Sequence, residues 1–307
     1  MSKPRSNRRQ IDGVLLIDKP YDISSNNALQ KARWLLNAAK AGHTGVLDPL
    51  ATGLLPMCLG EATKFSSYLL DADKGYRATV RFGAATSTGD IEGEVVRECP
   101  INFDQDRLLQ VMQQFGGEIS QVPPMYSALK HQGKPLYEYA REGIEIAREP
   151  RNITIHSLQL VSFDGVEAVI DVLCSKGTYI RTLAEDIAIA LDCAAHLTGL
   201  RRTTTGGFQL SEAHTLADVE ALDMAGREAL LLPVDVLVQH FPAHTLDAAS
   251  VARFIHGQAV RFVSECAKMK RFRVYSDVDA EFLGLAELRD DDMLHPIRLL
   301  AVKQAAC

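Results

Sequence analysis

Between Tyr76 and Phe82 apolar and polar residues alternate, Tyr76-Arg-Ala-Thr-Val-Arg-Phe82. Successive strand side chains point to opposite faces, so this run puts its rings and aliphatics on one side and its arginines on the other. That is the pattern of a half-buried antiparallel strand, and it commits the chain to a sheet with one face toward water. Other segments supply helices. Ser24-Ser25 can cap a helix near residues 25–40, with Leu29, Ala32, Leu35, Leu36 and Ala39 on one face. Residues 14–17 and 54–59 read as strands, and 62–70 and 104–115 as helices, the second stopped at Gly116-Gly117. Two strands, 153–163 and 167–174, hinge at Asp164-Gly165; a helix over 178–191 and a strand over 200–205 follow. Strands in mixed groups with helices between them predict an α+β fold whose sheet is mixed and largely antiparallel.

The acidic stretch 211–235, punctuated by Pro233 and Pro242, leads to an expected boundary near 245–250. This divides the chain into a basic arm over 1–10, a main domain over 11–245 and a small β-rich domain over 250–307. Strand-like runs at 259–263, 272–275, 281–287 and 298–302 fill the last of these. A unit that small buries little core, so it should lean on the main domain.

The longest apolar run, residues 187–191, is far too short to cross a membrane. No apolar stretch follows Lys3, Arg5, Arg8 and Arg9, so a secretory signal is not expected. Cysteines 58, 99, 174, 193, 266 and 307 form no CxxC pair and read as free thiols of a cytoplasmic protein. Net charge is −6, yet residues 1–81 carry 12 Lys/Arg against 7 Asp/Glu. Residues 251–276 hold Arg253, Arg261, Lys268, Lys270, Arg271 and Arg273 against Glu265 alone. Local patches decide phosphate binding more than the total does, so a positive groove for nucleic acid remains open.

No GxGxxG, GxxxxGK[ST] or HExxH motif is present, and Pro242 spoils His240 and His244 as a helical metal pair. No cofactor and no metal is expected. The densest signal is Gly42-His-Thr-Gly-Val-Leu-Asp-Pro-Leu-Ala-Thr-Gly53. An isolated Asp-Pro is usually a turn cap. Here Asp48 sits among apolar neighbours, where an ionised carboxylate needs a partner. Arg181, in Cys174-Ser-Lys-Gly-Thr-Tyr-Ile-Arg181, is the candidate, because a neighbouring guanidinium keeps a nucleophilic carboxylate charged. Tyr179 lies two residues before it, and Tyr76 offers a ring that could stack a base or simply fill the core.

These segments resemble the bacterial TruB-type tRNA pseudouridine synthases. The likeness rests on Gly13-Val-Leu-Leu-Ile-Asp-Lys-Pro20 with Ser24-Ser25-Asn26, on residues 42–64, on residues 174–181 and on Leu197-Thr-Gly-Leu-Arg-Arg202. Pro123-Pro-Met-Tyr-Ser-Ala-Leu-Lys130 and Gly133-Lys-Pro-Leu-Tyr-Glu-Tyr-Ala-Arg141 match as well, so it runs in order from about residue 11 to 235. The tail resembles the family's small PUA-like domain more loosely. The resemblance implies the pseudouridine-synthase fold and conversion of uridine 55 in the TΨC loop of tRNA to pseudouridine. It implies catalytic roles for Asp48, Arg181 and Tyr76. It also places His43, Tyr76, Tyr179 and Leu200 against a flipped-out uridine, and puts Lys19, which with Pro20 supports the active-site loop, in the same substrate-binding group. His43 would be the wedge that fills the vacated stack. The implied partner is the tRNA T-arm, with no membrane or protein partner and a monomeric chain.

Three other readings compete, the last of them weakly. An RNA chaperone would fold tRNA without chemistry, and Asp48 with Arg181 argues against chaperoning alone. A guide-RNA-dependent rRNA synthase shares the aspartate loop but carries a long lysine-rich tail that this chain lacks. A glycosidase would need a second carboxylate as acid.

Overall fold

The computed structural model describes residues 8–262 and 270–301. Lys268, Cys266, Cys307 and the first seven residues of the arm lie outside them.

Among the described residues a ten-stranded sheet dominates. Its order is His214–Thr215, Gly13–Lys19, Thr52–Leu59, Ala195–Thr205, Lys74–Phe82, Glu167–Cys174, Arg151–Phe163 and Gly117–Gln121; Ala41–His43 and Phe208–Gln209 pair from the side. Two pairings are parallel, Gly13–Lys19 with His214–Thr215 and Ala195–Thr205 with Thr52–Leu59; the others are antiparallel. The sheet is therefore mixed and largely antiparallel.

Two kinds of strand show how the sequence pattern arises. Along Lys74–Phe82, Tyr76, Ala78, Val80 and Phe82 enter the main core while Arg77 and Arg81 stay exposed. Gly13–Lys19 reads as a continuous apolar run because both its faces are covered. Leu15 and Ile17 pack into the main core, and Val14 and Leu16 into a second one.

That second core joins the two parts of the chain. Phe65 and Leu54 pack with Phe282 and Leu285 of the C-terminal unit, the Phe65 and Phe282 ring centres 5.6 Å apart. The C-terminal five-stranded sheet also has a core of its own around Phe254, Phe272, Val274 and Leu294. It begins with Ala243–Leu246, a few residues ahead of the expected boundary.

Several expected elements differ in extent. The helix expected over 25–40 ends at Leu35, because Asn37 takes a left-handed conformation and Arg33 donates to the Ala38 and Ala39 carbonyls. Ala39 therefore lies off the helix, where it bonds the backbone of Arg9. This pins the end of the arm, and Arg9 also pairs with Glu228. Residues 62–70 break into a 3₁₀ turn, Gly60–Lys64, and a short helix, Ser66–Leu70, around the buried ring of Phe65. The strand expected from Leu200 starts at Ala195, its first half disguised by a bulge at Leu197/Gly199. The last strand among the described residues is Met293–Leu299; of the expected run 298–302, Val302 lies outside them, and Pro296 sits at a register shift, where its missing N–H is tolerated.

Candidate active site

Asp48 stands on a loop clamped from below. Buried Ser25 accepts from the Leu47 N–H at 2.7 Å and donates to the Leu47 carbonyl at 2.9 Å. Thr44 N–H reaches the Pro56 carbonyl, and Ala51 N–H returns to the Asp48 carbonyl. Leu47, Leu50 and Ala51 are buried, so the loop is anchored by its apolar residues and leaves the Asp48 carboxylate 41% exposed. Gly53 closes the loop with φ +100; a Cβ there would lie 2.3 Å from the Arg202 carbonyl, so only glycine allows this approach.

Lys19 belongs to the clamp. It is fully buried, and its Nζ donates to the carbonyls of Pro20, Ile23 and Pro49 at 2.9, 2.7 and 3.3 Å. All three ammonium donors are used on carbonyls of this region, so Lys19 holds the loop that carries Asp48. Burial lowers its pKa to about 8, with Asp48 opposing the shift.

Opposite stands the helix Ile180–Ala190, with Arg181 in its first turn. Tyr179 is the N-cap residue, but its side chain does not cap the first turn; instead the buried Gln121 amide bonds both the N–H and the carbonyl of Tyr179. Arg181 is 6% exposed. Its guanidinium donates to Asp48 Oδ2 at 2.9 Å, the Tyr126 carbonyl at 2.7 Å and the Thr88 carbonyl at 2.8 Å, and lies 3.6 Å from Asp90 Oδ2. The fork is thus not bidentate on Asp48. One N–H aims the carboxylate, and the remaining contacts fix the arginine.

Asp90 was not legible as a site residue. Its side chain is 4% exposed and accepts from Thr88 Oγ1 and the Glu92 N–H. It sits in the turn between Ala84–Thr86 and Val95–Glu98, which docks on the central sheet through Gly89, Ile91 and Leu197.

Asp48, Tyr76, Tyr179, Arg181 and Leu200 share one open cleft of about 240 Å³, with Gly45, Val46, Lys74, Cys174 and Arg202 also in its wall. That volume is small for a drug-sized ligand and suits a single base. Burial raises the Tyr76 phenol above its ordinary value, against the charge and hydrogen bond of Arg202, and burial raises Tyr179 as well. His43 is not in the wall. It ends the side strand Ala41–His43, its Nδ1 buried without a partner, and burial with the Arg202 charge holds it below its usual pKa.

Of the basic cluster near the C-terminus, Arg273 is committed elsewhere. It donates to the Phe241 carbonyl and Tyr275 hydroxyl, and Tyr275 in turn donates to Asp235 of the main domain. Arg271 pairs with Glu287, and Arg253 reaches Gln258 and the Ala259 carbonyl. Arg261 and Lys270 are exposed.

Comparison with known proteins gives the family. Residues 33–180 match the model "TruB family pseudouridylate synthase (N terminal domain)". Residues 181–239 match "tRNA pseudouridylate synthase B C-terminal domain" and 242–300 match "Pseudouridine synthase II TruB, C-terminal". A "tRNA pseudouridine synthase B" of Chromobacterium violaceum is 73% identical over 98% of both chains. Another so named, from Methylobacillus flagellatus, is 55% identical over 95% of this chain and 96% of its own. Among solved structures, a chain of "Crystal Structure of a Cbf5-Nop10-Gar1 Complex" superposes with a TM-score of 0.69 at 27% identity, covering 90% of this chain and 78% of that one.

Proposed function

The chain belongs to the TruB family of pseudouridylate synthases and is a tRNA pseudouridine synthase, and from that premise we propose that it isomerises uridine 55 of the T loop with Asp48 as nucleophile. The observation that carries the reading is the aimed carboxylate: Asp48 is exposed to the cleft yet bonded to a buried arginine. A nucleophile needs both, and a protein that only folded RNA would need neither.

The target uridine leaves its stack and enters the cleft, and His43, on the strand leading into the loop, fills the vacancy. Tyr76 and Leu200 retain the base from two neighbouring strands while Tyr179 closes the helix side. Lys19 and Ser25 hold the Asp48 loop still, so that attack begins from a fixed position. The small C-terminal unit acts as a PUA-like RNA-binding domain and meets the tRNA backbone through Arg261 and Lys270. The protein works as a monomer in the cytoplasm, and no described helix is long and apolar enough to cross a membrane. A guide-dependent reading has less support, with 27% identity to the Cbf5 complex chain against 73% to a tRNA enzyme.

The test is incubation of an unmodified tRNA transcript with the protein, with pseudouridine mapped by carbodiimide treatment and primer extension. A stop at position 55 is expected. Modification elsewhere only, or none, would sink the proposal.

A further inference from the structure

Arg202 is among the largest fully buried side chains of the protein, at 1% exposure, yet it lines the cleft. Its Nε donates to the Leu54 carbonyl at 2.7 Å, Nη2 lies 3.5 Å from the Gly45 carbonyl, and it shares the cleft wall with Tyr76. Among the described residues no carboxylate lies within ion-pair distance of it. The other charges of the wall are accounted for. Arg181 is matched by Asp48 and Asp90, and Lys74 gives its ammonium to the Leu70 and Ala72 carbonyls. A buried guanidinium with only neutral acceptors is expensive to maintain unless something anionic visits it.

The reaction supplies such an anion. When C1′–N1 opens, the bonding pair goes to the base, and the uracil carries one negative charge spread over N1, O2 and O4. It keeps that charge until C5 uses a pair to bond C1′; the C5 proton then departs and N1 takes one up. We infer that Arg202 stabilises this departing uracil anion, acting from the cleft floor beside Tyr76. The inference rests on the proposed isomerase reading. A fixed buried cation aimed at charge that develops only in the transition state is the arrangement that lowers a barrier without tightening ground-state binding. Its field is already felt nearby: burial and then Arg202 hold both His43 and Lys74 below their ordinary pKa values.

The experiment compares wild type, Arg202→Lys and Arg202→Met in single-turnover rearrangement at saturating enzyme. Substrates are T-arm RNA carrying uridine or 5-fluorouridine at the target, both followed as loss of the starting nucleoside, because C5 of the fluorinated base bears no proton to release after it bonds C1′. Fluorine makes the departing base a weaker base that needs less help. With uridine, the Met variant should lose on the order of 10²- to 10³-fold in rate, with RNA affinity within a few-fold of wild type. The Lys variant should recover a large part. With 5-fluorouridine the deficit of either variant should shrink at least several-fold, a response that a packing role would not produce. Equal deficits on both substrates, or a loss confined to affinity, would overturn the inference. If the Met variant does not fold, the Lys variant on the two substrates decides alone. An inactive wild type would instead count against the isomerase reading.

Discussion

At the residue scale, the site is a balance of charges held by neutral groups. Arg181 touches Asp48 with one N–H and donates its remaining bonds to the Thr88 and Tyr126 carbonyls. Arg181→Lys keeps the charge, but a point ammonium cannot span three partners arranged around a planar fork. Its single-turnover rate should fall on the order of 10²-fold, the effect of misplacing Asp48 by about 1 Å. A wild-type rate in the Lys variant would show that only charge matters. Arg181→Met strands Asp90, whose side chain is 4% exposed, and should destabilise the fold by about 3 kcal/mol in denaturant melts. Adding Asp90→Asn should restore much of that stability without restoring turnover. Lys19 gives a pH signature. Its folded-state pKa of about 8 lies below the ordinary 10.5, so the unfolded chain binds the proton more tightly. Stability from this group therefore rises as pH climbs from 8 to 10.5 and is flat below 8. Relative to Lys19→Met, the wild-type melting temperature should gain across that interval; a constant difference would contradict the buried ammonium.

At the element scale, the cleft is built where a clamped loop, a strand and a helix start converge. Ser25→Ala should leave the helix Ser25–Leu35 in place, since its cap is Ser24, yet free the Leu47 backbone on both sides. The expected result is a rate loss of roughly tenfold or more with a drop in stability of about 1–3 kcal/mol. Unchanged turnover would mean the loop is held by its buried leucines alone. What could be read from sequence follows from the same physics. The strand Lys74–Phe82 was legible because one face meets water, and Asp48 because a lone acid stood in an apolar glycine loop. Tyr179 and Arg181 were legible through a motif. Asp90 and Gln121 were not, because each is a single polar residue whose meaning comes only from what the sheet places beside it, and Arg202, though inside a motif, showed no sign of its burial there. Lys19 was visible as part of a motif, but its role was set by three carbonyls that no spacing shows.

At the scale of the whole molecule, two parts of the chain share a core through Phe65 and Phe282 and are tied by Arg273, Tyr275 and Asp235. Removing the C-terminal unit would expose that core, so its RNA role is better tested at the surface. Arg261→Ala with Lys270→Ala should weaken tRNA binding and lower the slope of log Kd against log salt by about two, one per phosphate contact. Arg273→Ala should leave that slope alone and lower the melting temperature. A slope unmoved by the first pair would make those residues an ordinary solvated face. All of this surrounds one claim, that Asp48 performs the isomerisation in a cleft built to receive a base. The most direct measurement is single-turnover conversion of unmodified tRNA at saturating enzyme by wild type and Asp48→Asn, with tRNA affinity measured alongside. Phosphate contacts dominate affinity, so the variant should bind within a few-fold of wild type while its rate at position 55 falls on the order of 10⁴-fold or more. An Asp48→Asn protein that still formed pseudouridine at an appreciable rate would remove the nucleophile from the account.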